Sequence, residues 1–399
     1  MEQNASQKIS FSQIAQSIPP NVFAQMDIKV AQAIRQGADV IDLSKGNPDA
    51  FPVKFVREAA KQAVDNPANA RYTPFDGKPE YLQAAANWYA KLHGVHLNPA
   101  DELFAVEGAV DGLASLFAIL LDRGDTVAFA DPYYPSYHCM ASMLGARELL
   151  LPAKESLGWL PDLDEVPDEV WENIRMLVLN YPNNPTGAQA PIEFFKKAIK
   201  LAENHHFVIL HDYAYTGLGV SKQQASFLAV PGAKEVGVEL CSLSKMYAMA
   251  GWRGGFIAGN SNIVSHAKQY HYQMGSMVTG MVQDAAVAAL NGDQSYVDAL
   301  AKRYAARRKI VAQGLSDVGM AVFDSPGGVY VWAKAPGSIG GDTFAQRLLS
   351  DAQVGVLPGT CFGRVGSDYI RVSLLKDELL LQRAVERIQR HWDILTAEV

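Results

Sequence analysis

The chain has 399 residues, 49% of them apolar, and a formal net charge of −7. A chain of this length and apolarity can bury a full core, and its size is compatible with one large domain plus a smaller one. The acidic balance and the lack of a long basic run argue against a nucleic-acid or anionic-membrane surface, because such surfaces need clustered Lys and Arg.

The three cysteines, Cys139, Cys241 and Cys361, are widely spaced and odd in number, so they predict neither a disulfide framework nor a metal site. Cys241 is interpreted as a small buried residue. The N-terminus lacks the basic-then-apolar pattern of a secretion signal, and no stretch approaches the roughly 18 apolar residues of a membrane span. We therefore expect a protein of the reducing cytoplasm that binds no membrane.

The N-terminal segment begins with a polar stretch. Residues 1–20 are polar and end in Pro19-Pro20, which predicts an arm that lies on another part of the protein. Apolar residues then recur at helical spacing over residues 22–36, and residues 40–44 have the pattern of a short strand.

Strand and helix patterns alternate through the middle of the chain. The predicted strands are residues 103–106, 126–130, 176–179 and 207–210. A helical pattern follows each of the first three: through residue 120 after the first, without defined bounds after the second, and over residues 192–203 after the third. Such alternation predicts a mainly parallel sheet covered by helices on both faces. The large domain is therefore predicted to be a doubly wound α/β unit.

The pattern changes past residue 290. A long charged helix is predicted over residues 296–315, and a last helix carries apolar residues from Leu381 to Leu395. Between them lie the predicted strands 329–332, 354–357 and 369–372 and a helix over 344–349. This order is typical of a smaller α+β domain.

A cluster of reactive side chains lies at residues 242–255. Hydroxyls at Ser242 and Ser244, the amine of Lys245 and the guanidinium of Arg253 stand among small and apolar residues. Desolvation and a neighbouring cation lower the pKa of an amine, which makes it a better nucleophile towards a carbonyl. Hydroxyls and an Arg fork are good partners for phosphate. The run therefore predicts a site for a phosphorylated carbonyl compound.

Polar residues also follow two predicted buried strands. Asn184 lies in the loop after strand 176–179, and Asp212 and Tyr215 come just past strand 207–210. Ligands of open α/β sheets bind outside the carboxyl ends of the strands. We therefore expect these three residues and Lys245 to share one crevice.

In these motifs the chain resembles the fold type I, pyridoxal-phosphate-dependent aminotransferases of class I/II. Six segments between about residue 40 and 375 carry the resemblance in the family's order. They are Tyr72 in residues 71–77, residues 131–137, the Asn183-Asn184-Pro185-Thr186-Gly187 loop, Asp212 with Tyr215, the Lys245 run, and residues 369–373. The resemblance implies that an N-terminal part, residues 1–45, joins the small domain of residues 291–399, beside a cofactor-binding domain of residues 46–290.

The resemblance also implies roles for the residues in the crevice. Lys245 is the expected catalytic residue, which holds pyridoxal 5′-phosphate as a Schiff base and moves the proton at the substrate Cα. Asp212 is expected to pair with the pyridine nitrogen, because a nearby anion favours the charged ring. Asn184 and Tyr215 resemble the family's hydrogen-bond donors to the ring hydroxyl oxygen.

The phosphate of the cofactor has its own set of expected partners. They are Ser242, Ser244, Arg253, the backbone amides of Gly108, Ala109 and Val110 at a helix start, and Tyr72 from a second subunit. The family often has a hydroxyl or a lysine after the first glycine, whereas Ala109 and Val110 offer only backbone donors. Tyr134 aligns with the aromatic residue that stacks on the ring, although Tyr133 and Tyr137 are close competitors.

Two residues are expected to bind the substrate. The planar fork of Arg371 can grip an α-carboxylate through two hydrogen bonds, and Gly46 resembles a backbone contact to the same group. We therefore predict ping-pong transamination between an L-amino acid and a 2-oxo acid in a homodimer with shared active sites. The alternatives are a C–S β-lyase on the same scaffold and, in a different class, a non-catalytic cofactor-binding regulator. Aspartate, alanine, aromatic amino acids and diaminopimelate all stay open as substrates.

Overall fold

A computed structural model describes residues 9–219 and 225–397, so residues 1–8 of the predicted arm lie outside the described residues. The helices in these ranges are α1 (Gln13–Ser17), α2 (Val22–Arg35), α3 (Lys54–Asp65), α4 (Pro79–His93), α5 (Ala109–Leu120), α6 (Ser136–Leu144), α7 (Asp168–Trp171), α8 (Ile192–His205), α9 (Ala233–Val236), α10 (Leu243–Met246), α11 (Ser261–Met274), α12 (Gly280–Asn291), α13 (Ser295–Ser316), α14 (Gly341–Ser350), α15 (Glu378–Arg390) and α16 (Trp392–Thr396). The strands are β1 (Ile41–Asp42), β2 (Leu103–Val106), β3 (Thr126–Asp131), β4 (Arg147–Lys154), β5 (Leu160–Pro161), β6 (Met176–Asn180), β7 (Val208–Asp212), β8 (Gly237–Ser242), β9 (Gly255–Gly259), β10 (Tyr330–Lys334), β11 (Val354–Gly355), β12 (Leu357–Pro358) and β13 (Tyr369–Ser373). None of the helices in the described ranges has both the length and the apolar character needed to cross a membrane.

An eight-stranded sheet forms the centre of the molecule, in the order β2-β9-β8-β7-β6-β3-β4-β5. The neighbours from β8 through β4 pair in parallel, and the antiparallel pairs lie towards the two edges. Helices α4, α8 and α12 contribute to the core on one face, and α5, α6 and α11 to the core on the other. Strands covered on both faces need continuous apolar runs, which is what β2 and β6 have. The predicted α/β fold class with a mainly parallel sheet is confirmed.

A second unit has its own core. The strand order β10-β13-β12 forms an antiparallel sheet, and helices α13, α14 and α15 contribute buried residues to the same core. Strand β1 pairs in parallel with β11, so the N-terminal segment joins this unit. The smaller α+β unit agrees with the predicted fold class, whereas the domain boundaries at 45/46 and 290/291 stay a prediction.

Some predicted elements have different bounds in the structure. The strand predicted over 354–357 is two short strands, which pair with different partners, β1 and β13. The last helix is divided at His391, whose Nδ1 lies 2.8 Å from the carbonyl oxygen of Arg387 at the end of α15. In the described part of the arm, α1 contacts α6 of the same chain. Cys241 is buried, as predicted.

Candidate active site

A cavity of about 260 Å³ lies where β6, β7 and β8 end and β10 begins. It is lined by Phe23, Gly46, Ala109, Val110, Tyr134, Asn180, Asn184, Asp212, Ala214, Tyr215, Ser242, Ser244, Lys245, Ala250, Arg253 and Tyr330. The lining includes every residue of the predicted site except Tyr72, Gly108 and Arg371, and it contains Tyr134 but neither of its competitors, Tyr133 and Tyr137. Sequence positions 23 to 330 therefore meet at the carboxyl edge of the sheet, where α/β proteins bind ligands.

Lys245 lies on the short helix α10 directly after β8. Its Nζ donates a hydrogen bond to the carbonyl oxygen of Gly46. Burial lowers the pKa of the Lys245 amine, and the cations Arg371 and Arg253 lower it further against an opposing effect of Tyr330. A lowered pKa raises the neutral fraction of the amine, which is the form that attacks a carbonyl.

Asp212 ends strand β7 and is buried. Its Oδ2 accepts a hydrogen bond of 2.7 Å from the Tyr137 hydroxyl, and its Oδ1 accepts one of 3.2 Å from the Ala214 amide. Asn180 fixes the backbone here, because its Nδ2 donates to the Asp212 carbonyl oxygen at 2.8 Å. Burial raises the pKa of the Asp212 carboxyl despite these donors, so a cation at its free side would stabilise the ionised form.

Two tyrosines line the cavity together with Lys245. The hydroxyls of Tyr215 and Tyr330 lie 3.3 Å apart. Burial raises the pKa of Tyr215 well above its usual value. Burial acts the same way on Tyr330, but the cations Arg371 and Lys245 and the hydrogen bond with Tyr215 together outweigh it, and the pKa of Tyr330 is lowered. Tyr330 was not among the residues predicted for the site, because its sequence context is that of an apolar strand, residues 329–332.

The start of α5 forms one wall of the cavity. Gly108 has φ +88°, and a Cβ at this position would lie 2.7 Å from Arg253 Nη2. The guanidinium of Arg253 donates to the carbonyl oxygens of Glu107 and Ala250, each at 3.1 Å. The first amides of α5 have no intrahelical acceptor, as at every helix start. Together with the Ser242 and Ser244 hydroxyls, these donors suit an anion such as phosphate.

Arg371 is fully buried on β13 behind the cavity. Its Nη1 donates to Asn184 Oδ1 at 2.8 Å, and its Nη2 donates to the Ser44 carbonyl oxygen at 2.7 Å. Aromatic rings lie against the guanidinium carbon, with centroid distances of 4.0 Å for Tyr330 and 4.7 Å for Phe362. Within residues 9–219 and 225–397, no carboxylate forms an ion pair with Arg371, and its Nε has no acceptor. A buried cation in this state favours binding of an anion.

The structure separates the three tyrosines near residue 135. Tyr134 lines the cavity, Tyr137 is buried against Asp212, and Tyr133 faces a neighbouring groove. Tyr72 is 92% exposed and lies outside the cavity of its own chain. The hydrogen bond from Tyr137 to Asp212 was not foreseen from the sequence, because it joins residues 75 positions apart.

Comparison with known proteins gives a consistent result. The sequence profile of the family "Aminotransferase class I and II" matches residues 38–388. The LL-diaminopimelate aminotransferase of Aquifex aeolicus is 37% identical over 380 residues, which are 95% of this chain and 98% of the relative. A substrate-bound structure of BacF from Bacillus subtilis has a TM-score of 0.91 and 34% identity, covering 96% of this chain and 98% of that chain. The structure of a probable N-succinyldiaminopimelate aminotransferase from Thermus thermophilus has a TM-score of 0.88 and 32% identity, covering 92% and 99%. The chain therefore belongs to the aminotransferase class I and II family and is a pyridoxal-phosphate-dependent transaminase.

Proposed function

We propose that the cavity around Lys245 binds pyridoxal 5′-phosphate and that the protein moves an amino group between an L-amino acid and a 2-oxo acid by a ping-pong reaction. The observation that carries the proposal is the pair of cations at this cavity. Lys245 has a lowered pKa, and Arg371 is buried without a carboxylate among the described residues. The Lys245 amine suits reaction with a carbonyl, and the Arg371 guanidinium suits binding of a carboxylate. An amino-acid transaminase needs both functions.

The polar groups of the cavity match the parts of the cofactor. Asp212 is the proposed partner of the ring nitrogen, and Asn184 and Tyr215 are the proposed partners of the ring hydroxyl. The proposed phosphate site consists of Ser242, Ser244, Arg253, the backbone of Gly108, Ala109 and Val110, and Tyr72 from a partner subunit. Tyr134 is proposed to lie against the ring. When bound, the cofactor supplies an aldehyde and an electron-withdrawing ring.

The chain's own side chains then hold and move the substrate. We propose that Arg371 and the backbone of Gly46 hold the α-carboxylate, which fixes the direction of the Cα–H bond. The Nζ of Lys245 is proposed to take the proton from Cα and later to return a proton to the product. A side chain at position 46 would meet the Tyr330 hydroxyl at 2.6 Å, which accounts for a glycine beside the amine.

The central test compares the Lys245→Ala variant with the wild type. We expect kcat to fall by about 10³-fold or more, because proton transfer by a positioned group contributes on the order of 10²–10⁴-fold. Borohydride reduction of the wild type should fix the cofactor to the peptide that contains Lys245. Lys268→Ala, which removes a buried lysine outside the cavity, is the control.

The products of the reaction distinguish the alternatives. Incubation with 2-oxoglutarate and an amino-acid panel that includes diaminopimelate, the substrate in the relatives' names, should yield glutamate. Pyruvate and ammonia without glutamate would support a β-lyase. Neither product would support a cofactor-binding regulator.

A further inference from the structure

A second and larger cavity adjoins the proposed cofactor cavity. It has a volume of about 680 Å³ and lies between residues 18–23 and helices α5 and α6. Phe23 and Val110 line both cavities, so the two cavities adjoin at these two side chains. We call the second cavity the side groove.

Helical spacing places apolar residues along two walls of the side groove, which the polar Asn21, Ser136, His138 and Thr360 also line. Val110, Ala114 and Ala118 are four residues apart on α5, and therefore lie on one face of that helix. Met140 and Met143 are three residues apart on α6 and contribute to the opposite wall. Methionine side chains adapt to irregular apolar groups, including aromatic rings.

The charges around the two cavities are distributed unevenly. Among the described residues, Lys245 and Arg253 are the cations that line the first cavity, and no Lys, Arg, Asp or Glu lines the side groove. Its titratable groups are His138, Cys139, Cys361, Tyr133 and Tyr270. The Nδ1 of His138 already lies 2.7 Å from a carboxylate oxygen of Glu148.

We propose that the side groove holds the side chain of the substrate and that the preferred amino donor has an aromatic or long apolar side chain. This inference rests on the proposed function. Burying apolar surface favours such a donor, whereas no Lys, Arg, Asp or Glu among the described residues lines the groove to pair with a second carboxylate or a distal ammonium. Phe23 lies where the two cavities adjoin. Its ring centroid is 5.6 Å from the guanidinium carbon of Arg371 and 6.2 Å from the ring centroid of Tyr134. It is the proposed contact between the α-carboxylate site and the groove.

Donor preference is the first test. Single-turnover half-reactions of the holoenzyme should give kcat/KM values for phenylalanine and leucine about 10²-fold above those for aspartate and diaminopimelate. Calorimetry provides a readout without turnover, in which 3-phenylpropionate should bind about 10²-fold more tightly than glutarate. Reaction with no donor would refute the proposed function, whereas faster reaction with aspartate or diaminopimelate would refute only the apolar preference.

A variant that fills the groove is the second test. Ala114 is exposed to the groove, and Ala114→Phe should lower the phenylalanine-to-alanine ratio of kcat/KM about tenfold. Ala306→Phe, at an exposed position within α13, is the matched control, and its ratio should equal that of the wild type. An unchanged ratio in Ala114→Phe would overturn the proposal. A change in sedimentation caused by Ala114→Phe would also overturn it, because the groove would then hold a second copy of the chain.

Discussion

Individual residues at this site are held by partners that lie far away in the sequence. The Tyr137 hydroxyl is buried and donates to Asp212, and this hydrogen bond lowers the pKa of the carboxyl against the effect of burial. Tyr137 does not itself line the cavity, although it contacts Asp212 and Tyr134, which do. Its proposed role is therefore to position Asp212 and to keep it ionised.

We predict that Tyr137→Phe shifts the pH profile of the enzyme. Without the hydroxyl, the pKa of Asp212 rises, so the carboxyl becomes protonated at a higher pH than in the wild type. The acid limb of kcat/KM should move to higher pH, and kcat at neutral pH should fall on the order of tenfold. Stopped-flow or steady-state rates between pH 5 and pH 9 would measure the shift.

The control for this prediction is Tyr304→Phe, which removes the hydroxyl of a buried tyrosine in the core of the smaller unit. Both variants should melt within a few degrees of the wild type, but only Tyr137→Phe should move the acid limb. A lower rate with an unmoved pH profile would show that Tyr137 acts only through packing.

Arg371 provides a second prediction at this scale. Arg371→Lys keeps a positive charge but loses the planar fork, so we expect kcat/KM for amino acids to fall about 10²-fold, mainly through KM. The binding of simple carboxylate inhibitors should weaken by a similar factor. Equal inhibitor affinity in the variant and the wild type would exclude Arg371 as the carboxylate partner.

Residues that line the cavity could be predicted from the sequence where the neighbouring residues form a recognisable motif. Lys245 follows two serines in a glycine-rich run, and Asp212 follows a buried strand, and both line the cavity. Tyr330 and Phe362 look like ordinary core residues in the sequence. Their positions against Arg371 result from the pairing of β10 and β12 with β13, which no local pattern reveals.

At the scale of elements, the start of α5 is the most constrained segment of the proposed phosphate site. Gly108 combines φ +88° with a close approach to Arg253. We predict that Gly108→Ala weakens cofactor binding about tenfold, because the added methyl group displaces the guanidinium, and that it costs about 1–2 kcal/mol of stability through backbone strain. Cofactor titrations and thermal unfolding would measure the two effects.

The control variant Gly337→Ala separates the effect of backbone strain from the effect of a steric clash with Arg253. Gly337 also has a positive φ, +56°, but no atom lies within 4 Å of the position that a Cβ would occupy. This variant should lose stability without losing cofactor affinity. Equal affinity losses in the two variants would contradict the role assigned to Gly108.

Elements were predictable to different degrees for a physical reason. The predicted strand over 103–106 has the bounds of β2, and the strand over 176–179 matches β6 to within one residue, because central strands are continuous apolar runs. Strand β4 begins with Arg147 and Glu148 and was not predicted. Strand β8 contains the fully buried Glu239, whose carboxylate accepts hydrogen bonds from Tyr89 and Ser226. A charged residue can be buried in this strand only because partners distant in the sequence pair with it.

At the scale of the whole molecule, the proposed active site lies where the large sheet meets the smaller antiparallel sheet. Asp212 ends a strand of the large sheet and Lys245 lies on the helix directly after another, whereas Tyr330 and Arg371 lie on strands of the smaller sheet. Relative movement of the units would therefore change the distance between the proposed cofactor and carboxylate sites. We expect carboxylate inhibitors to bridge the units and to raise the melting temperature of the wild type more than that of Arg371→Lys.

The exposed Tyr72 leads to a prediction about the assembly. Its side chain is 92% exposed and lies outside the cavity of its own chain, and we propose that it completes the phosphate site of a partner in a two-fold dimer. Lys245→Ala and Tyr72→Ala chains should each be weakly active alone. In a hybrid dimer, one of the two sites would combine an intact Lys245 with an intact Tyr72 from the other chain. Random mixing should therefore restore about a quarter of the wild-type activity, since half of the dimers are hybrids and half of their sites are intact. Mixtures no more active than the average of the two parents would show that Tyr72 does not serve the neighbouring site.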